Sequence, residues 1–184
     1  MTRIIACVSG KGGVGKTTVV KDLKGTDPRN LPNILLDLLG DSEIILLDVA
    51  AGLGRETLSA LEAADEILLV TNPEVPAVTD ALKAVKLAQQ MGTKISGVVI
   101  NRVTGRKHEM KTEDVMSMLG EYEPLGIIPE DINVQKSIAS RVPVVHYSPR
   151  SPASKELNKL AARMTGTKYY QRERWYNKWF GFLR

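Results

Sequence analysis

The stretch that decides the fold of this chain reads Gly10-Lys11-Gly12-Gly13-Val14-Gly15-Lys16-Thr17. It matches the pattern G-x-x-x-x-G-K-[ST], and it stands between a predicted strand at residues 3–8, apolar from residue 4 onwards, and a helical pattern at residues 15–23. Glycines allow the backbone to turn its N–H groups towards an anion, and the positive end of the following helix strengthens the same field. The stretch therefore predicts a phosphate-binding loop between the first strand and the first helix, rather than a flexible glycine-rich turn.

The side chains of this loop predict a nucleoside triphosphate bound together with Mg²⁺. In loops of this pattern the lysine reaches the β and γ phosphates and the next hydroxyl ligates the metal, which assigns these roles to Lys16 and Thr17. The expected nucleotide-binding residues are Gly10, Lys11, Gly12, Gly13, Val14, Gly15, Lys16, Thr17 and Thr18.

A carboxylate is expected close to the metal, and Asp48 directly follows an apolar run at residues 44–47. Ligands of open α/β sheets bind at the carboxyl ends of the strands, where this acid would lie. Gly52 comes four residues later, and a glycine backbone can swing towards a γ-phosphate. Asp48 is thus the second predicted metal ligand, although an acid that merely ends a strand would look the same.

Apolar runs and helical patterns alternate along the rest of the chain. This alternation is typical of β-α-β units, and wholly apolar runs suit strands covered on both faces of a parallel sheet. The predicted fold class is α/β: a P-loop NTPase with a mainly parallel sheet flanked by helices, and a C-terminal amphipathic helix. Strands are predicted at residues 3–8, 44–47, 66–71, 95–100, 125–128 and 142–145. Helices are predicted at residues 15–23, 31–39, 55–63, 76–91, 111–119, 153–164 and in the C-terminal stretch.

The composition excludes several classes of protein. The chain has 184 residues, 43% of them hydrophobic and 25% charged, which suits one soluble domain rather than a disordered or membrane-spanning chain. No stretch approaches the roughly 18 uncharged apolar residues of a membrane span. The one cysteine, Cys7, rules out an internal disulfide, so a reducing compartment fits best. We therefore expect a cytoplasmic location.

The last part of the chain differs in composition from the rest. Residues 168–184 hold five Lys or Arg against one Glu. If residues 174–184 form a helix, six apolar or aromatic side chains fall within an arc of roughly 160°, and Arg174, Lys178 and Arg184 lie outside it. The six are Trp175, Tyr176, Trp179, Phe180, Phe182 and Leu183. The residues expected to bind a membrane are Arg174, Trp175, Tyr176, Lys178, Trp179, Phe180, Phe182 and Leu183. We divide the chain into a domain at 1–167 and a tail at 168–184, and expect the tail to bind an anionic bilayer. The alternative is a helix docked on its own domain.

The position of Lys11 makes the loop motif more specific. The loop then reads Lys-Gly-Gly-Val-Gly-Lys-Thr-Thr, which resembles the deviant Walker A motif of the MinD and ParA family of ATPases. Residues 48–52 resemble the Walker B and switch II segment of this family, and residues 71–75 resemble its MinD branch in particular. The residues similar to those that hold adenine in this family are Asn101, Arg102, Pro129, Glu130 and Asp131.

The resemblance implies a function as well as a fold. Such proteins bind ATP and Mg²⁺, hydrolyse ATP, and form a homodimer around it. The lysine matching Lys11 reaches the partner's phosphates, which makes Lys11 and Lys16 the expected catalytic residues. MinD-type proteins carry a membrane-targeting helix at the C-terminus. This implies peripheral attachment to the cytoplasmic face of the cell membrane, a regulatory protein partner, and a role in spatial positioning or cell-division-site regulation.

The residues themselves leave other readings open. Lys11 could act only within its own subunit, and Asn101 could be a turn residue, since asparagine often follows a strand. A ParA-like DNA partition ATPase would also use a basic surface and a dimer, although the aromatic side chains of the tail favour a membrane over DNA. The third reading is a nucleotide-binding adaptor with little hydrolysis.

The chain departs from this family between the loop and Asp48. The family continues from the loop helix into a strand that ends in an acidic switch I segment, whereas only residues 21–43 separate the two motifs here. Asp37 is read as a helix residue, because a strand so close to residue 44 would favour an antiparallel hairpin. The switch I carboxylate and several dozen family residues are missing here, either from the natural protein or only from this sequence. If the natural protein lacks them, ATP binding should survive better than turnover; if it has them, the full chain should hydrolyse ATP.

Overall fold

A five-stranded sheet forms the centre of the fold. The computed structural model describes residues 2–10, 12–15, 42–49, 52 and 54–168. The strands are β1 (Arg3–Val8), β2 (Ile44–Asp48), β3 (Glu66–Thr71), β4 (Lys94–Val103) and β5 (Pro124–Pro129). They lie in the order β2-β1-β3-β4-β5, and each strand is parallel to its neighbours. The predicted α/β fold class with a parallel sheet is confirmed.

Alternate side chains of β1 enter two separate cores. Ile4, Ala6 and Val8 pack into the core on one face of the sheet, and Ile5 and Cys7 pack into the core on the other. Successive side chains of a strand point to opposite faces, so a strand covered on both faces has apolar side chains at successive buried positions. This burial explains the uninterrupted apolar run before the phosphate loop.

Helices supply the outer layers of both cores. The described helices are α1 (Arg55–Ala63), α2 (Val75–Met91), α3 (Thr112–Leu119), α4 (Ile132–Ala139), α5 (Val144–Tyr147) and α6 (Pro152–Thr165). Helices α1, α2 and α3 pack on the first face, and α6 packs on the second. None of the described helices is long and apolar enough to cross a bilayer. The helix predicted at 31–39, nearly all of that at 15–23, and the C-terminal helix lie outside the described residues.

The last described helix, α6, ends at the amino edge of the sheet. The Nη1 of Arg3 donates to the carbonyl oxygen of Met164 at 2.9 Å, and the Nη1 of Arg163 donates to the carbonyl oxygen of Leu125 at 2.6 Å. Arg3 and Leu125 lie at the amino ends of β1 and β5. These two bonds fix the end of α6 against the edge where the strands begin.

The strand predicted at residues 142–145 is wrong. Pro143 is the N-cap of α5, with φ −55°, and Val144 is the buried residue of this short helix. Proline lacks the N–H that a strand ladder needs, and its fixed φ suits a helix start. The sequence reading also missed α4 (Ile132–Ala139), although Asp131 stands before it as a typical N-cap residue.

Asp131 joins the starts of α4 and α6. Its Oδ1 accepts from the backbone N–H of Asn133 at 2.9 Å, and its Oδ2 accepts from the backbone N–H of Ala153 at 3.2 Å. Burial alone would raise the pKa of this carboxyl. The hydrogen bonds from Asn133, Ser151 and Ala153 outweigh burial and hold the pKa of Asp131 below its usual range.

We expect Asp131→Ala to lower the free energy of unfolding by roughly 1–3 kcal/mol at neutral pH, because two backbone donors lose their acceptor. The folded pKa is lowered, so the ionised carboxylate stabilises the fold fully above the unfolded pKa of about 3.9 and loses this effect as the pH falls through the folded value. Urea unfolding of wild type, Asp131→Ala and Asp131→Asn over this range checks both points. Asparagine still offers an acceptor to Asn133 and should lose less. A wild-type advantage over Asp131→Asn that stays constant into strong acid would contradict the charge-dependent part.

Candidate functional site

The predicted phosphate loop begins where the connections of the sheet diverge. Strand β1 lies between β2 and β3, so the chain leaves β1 towards β2 and then crosses back to β3 on the other side. Ligands of open α/β sheets bind at such a switch point, beyond the carboxyl ends of the strands. Gly10 and residues 12–15 of the loop are described, whereas Lys11, Lys16, Thr17 and Thr18 lie outside the described residues.

The first glycine of the loop lies directly against α2. A Cβ added at Gly10 would overlap the backbone of Asp80, which is part of α2. Only glycine fits at this contact, whatever else the loop requires of it. Helix α2 therefore supports the loop at its first residue.

Asp48 and Gly52, the ends of the segment that resembles switch II, lie beside the start of the loop. Asp48 ends β2 in register with Cys7 of β1, and the backbone N–H of Val49 donates to the carbonyl oxygen of Cys7 at 3.3 Å. The backbone N–H of Gly52 donates to the carbonyl oxygen of Ser9 at 3.4 Å. The structure thus brings Asp48 and Gly52 to the same edge as the loop, as the sequence predicts.

A surface pocket joins the end of the loop to the two segments expected to hold adenine. It is lined by the described loop residue Gly15 and by Asn101, Arg102, Pro129, Glu130 and Asp131. Sequence reasoning missed its other lining residues, which are Ile128, Val134, Gln135, Ile138 and Leu157. Three of these belong to α4 or its first turns, so the missed helix accounts for most of the missed site.

An irregularity in β4 carries Asn101 and Arg102 to the pocket. The register of β4 against β5 shifts between Ile100 and Val103, and Arg102 has a φ of 57°. The side chain of Arg102 is exposed, whereas that of Asn101 is buried and donates through Nδ2 to the carbonyl oxygen of Val14 at 2.7 Å. Asn101 therefore contacts the phosphate loop directly, which the sequence reading did not foresee.

The other predicted adenine segment has a mixed role. The backbone N–H of Glu130 donates to the carbonyl oxygen of Val103 at 2.9 Å, which holds this segment against β4. Asp131 lines the pocket, but both of its carboxylate oxygens accept from helix N–H groups. Its contribution to the pocket is therefore mainly to fix the position of its walls.

A metal site and a membrane site are not assembled from the described residues alone. Among them, no group of three or more His, Cys, Asp or Glu side chains could hold a metal ion. Asp48 is described, but its predicted partner Thr17 is not, and all the tail residues expected to bind a membrane fall after residue 168. These assignments remain predictions.

A parallel sheet with a glycine loop after β1 and an acid at the end of the neighbouring strand defines a P-loop nucleotide-binding fold. The chain belongs to the CobQ/CobB/MinD/ParA nucleotide binding domain family, whose model matches residues 5–144. It is 36% identical over 142 residues to an uncharacterized ATP-binding protein of Methanocaldococcus jannaschii, covering 77% of this chain and 53% of that protein. It is 30% identical over 145 residues to the septum site-determining protein MinD of Thermotoga maritima, covering 76% of this chain and 53% of that protein.

A solved structure shares the same fold. The MinD of Pyrococcus horikoshii, complexed with Mg-ADP, superposes with a TM-score of 0.80 at 27% identity, over 89% of this chain and 96% of that chain. The chain spans about half the length of the curated relatives it matches. The MinD/ParA resemblance seen in the sequence is confirmed.

We expect Gly10→Ala to displace the loop from α2 and to lower both the free energy of unfolding and the affinity for Mg-ATP. Overpacking against backbone typically costs about 1–3 kcal/mol. The matched control is Gly54→Ala, because a Cβ at Gly54 meets nothing within 4 Å and its φ of −75° suits alanine. Chemical unfolding and calorimetric titration of both variants test the contact. Equal behaviour of the two variants would show that the approach of Gly10 to Asp80 has no consequence.

Proposed function

We propose that this chain binds ATP with Mg²⁺ along the carboxyl edge of its sheet, forms an ATP-dependent homodimer, and attaches to an anionic membrane surface as a MinD-type ATPase. The observation that carries the proposal is the common edge on which three features meet. The phosphate loop follows β1, Asp48 ends the adjacent β2, and the pocket around Asn101 opens at the end of the loop. A nucleoside triphosphate needs all three: a pocket for the base, a loop for the phosphates and an acid for the metal.

Each part of the nucleotide has a matching part of this edge. The pocket combines apolar side chains such as Ile128 with polar ones such as Asn101, a mixture suited to a purine base. The N–H groups of the loop and Lys16 would hold the phosphates. Thr17 and Asp48 would hold Mg²⁺, which would neutralise charge on the phosphates.

Gly52 is placed to respond to the γ-phosphate. Its N–H donates to the carbonyl oxygen of Ser9 over a long 3.4 Å, and its φ is 99°. A long bond to a neutral acceptor is readily exchanged for a charge-assisted bond to a phosphate oxygen. The hydroxyl of Thr57 in α1 donates to the carbonyl oxygen of Gly52 at 2.9 Å, so a movement of Gly52 would be transmitted to α1.

Two similar proteins support ATP as the nucleotide. A relative at 36% identity is described as ATP-binding, and a MinD with the same fold holds Mg-ADP. The similarity to a septum site-determining protein supports a role in spatial positioning or cell-division-site regulation. The chain spans about half the length of these relatives, so we propose dimerisation, hydrolysis and a partner for it rather than take them from the relatives.

Attachment to the membrane would follow from dimerisation. A single short amphipathic helix binds a bilayer weakly, because ordering the helix offsets much of the apolar burial. A dimer presents two tails, and the second insertion becomes intramolecular, which can raise the affinity about 10² to 10⁴-fold. ATP binding would thus be converted into attachment, with Lys11 reaching the partner's phosphates.

The short link at residues 21–43 favours a second function, that of a nucleotide-binding adaptor with little hydrolysis. In-line attack on the γ-phosphorus requires a group that orients water, and the switch I acid of the family has no clear counterpart in this link. The two functions share ATP binding and differ in turnover. Steady-state phosphate release with and without liposomes separates them.

We expect Lys16→Ala to abolish tight binding of Mg-ATP, because it removes the loop cation placed for the β and γ phosphates. Lys11→Ala is the matched control within the same loop. It should retain ATP binding by the monomer but lose ATP-dependent dimerisation. Calorimetry measures the first effect and light scattering with and without ATP measures the second. Wild-type ATP affinity in Lys16→Ala would refute the phosphate loop, and an undiminished ATP dimer in Lys11→Ala would refute its action across the interface.

We expect a chain ending at Gln171 to remain folded but no longer to sediment with anionic liposomes, because it lacks the basic aromatic segment. Trp175→Glu should have nearly the same effect by placing a charge on the apolar face. Lys178→Gln is the milder control, since it removes one cation and leaves the aromatic face intact. Sedimentation with ATP, and with duplex DNA as competitor, also tests the ParA-like alternative. Lipid binding retained by both the truncation and Trp175→Glu would exclude the anchor.

A further inference from the structure

The side chain of Asn101 makes a buried contact with the phosphate loop. Its Nδ2 donates to the carbonyl oxygen of Val14 at 2.7 Å, across 87 residues of sequence. Asn101 is 8% exposed and Val14 is 3% exposed, so water does not compete freely for this bond. The bond joins the end of β4 to the loop that follows β1.

The backbone around Asn101 is shaped to deliver this side chain. The ladder between β4 and β5 is interrupted between Ile100 and Val103, and Arg102 adopts a φ of 57°. A left-handed arginine is uncommon and persists only where the surrounding structure holds it. The ladder resumes where Val103 pairs with Pro129, so Asn101 is held from both sides.

The residue that Asn101 contacts, Val14, lies between two glycines with positive φ. They are Gly13 and Gly15, which have φ values of 83° and 90°. Because Gly15 tolerates either sign of φ, the peptide between Val14 and Gly15 can flip at little steric cost. A peptide unit is planar and trans, so its C=O and N–H point in opposite directions. Fixing the carbonyl of Val14 on Asn101 therefore directs the N–H of Gly15 away from Asn101.

We propose that Asn101 is a positioning residue that fixes the Val14–Gly15 peptide, so that the N–H of Gly15 faces the bound phosphates. This inference rests on the proposed binding of ATP. It assigns Asn101 to the phosphate end of the nucleotide, although the residue also lines the pocket proposed for the base. Loss of this bond should consequently weaken the binding of a triphosphate whichever base it carries.

Two substitutions separate positioning from base recognition. Asn101→Asp keeps the shape of the side chain but places an oxygen against the carbonyl oxygen of Val14, and Asn101→Ala removes the donor without adding charge. Calorimetry with Mg-ATP and Mg-inosine triphosphate, which lacks the 6-amino group of adenine, measures both ends of the nucleotide. We expect each variant to lose about tenfold or more in affinity for both ligands.

Gln135→Glu is the control for the effect of an added negative charge on affinity. Gln135 lines the same pocket, and its Nε2 donates to Glu130 rather than to the loop. This variant should lose less affinity than Asn101→Asp, and circular dichroism of all variants establishes that they are folded. Asn101→Ala carries no added charge, so its loss alone would support the positioning role if Asn101→Asp did not fold.

The outcomes are distinct. If both Asn101 variants bind both ligands as wild type does, the positioning role is refuted while the proposed function stands. A loss confined to ATP would also refute it, because Asn101 would then recognise the base. If the wild-type chain binds neither triphosphate, the proposed function and this inference both fail.

Discussion

The parallel pairing of β1 with β2 and β3 is the constraint on which the candidate site depends. It places the end of β1 inside the sheet, with a strand on either side and a hydrophobic core on each face. A loop of glycines has no side chains with which to hold itself in shape. Its start is held by its surroundings: α2 lies against Gly10, and the N–H of Gly52 donates to Ser9. The proposed recognition of phosphate would therefore depend on the packing of the sheet.

Local signals in the sequence were enough for the elements that are buried on a regular pattern. The bounds of β1 and β3 follow directly from apolar runs, and α1 follows from its helical periodicity. The errors lie where one residue type overrides the pattern. Val142 and Val144 suggested a strand, but Pro143 between them cannot donate to a ladder and begins a helix instead. Helix α4 was missed because it has only eight residues and its buried residue, Ser137, is polar.

The site could be predicted as a set of motifs but not as a set of contacts. Asp48 and Gly52 lie where their motif implies, because strand register carries them to the loop. Asn101 and Asp131 were identified as part of the same site, yet their hydrogen bonds go to Val14 and to two helix starts. Such bonds join segments far apart in the chain, and neither periodicity nor motif spacing contains that information. An asparagine or aspartate after a strand is compatible with a ligand, a turn or a cap.

Helix α6 connects the pocket at the carboxyl edge of the sheet to the amino edge. The helix starts beside Asp131 at the pocket and ends against Arg3 and Leu125, where the strands begin. Its 14 residues span about 21 Å. The described chain therefore ends near the amino edge of the sheet, opposite the edge that carries the loop. The loop and the last described residues are thus separated by about the length of α6.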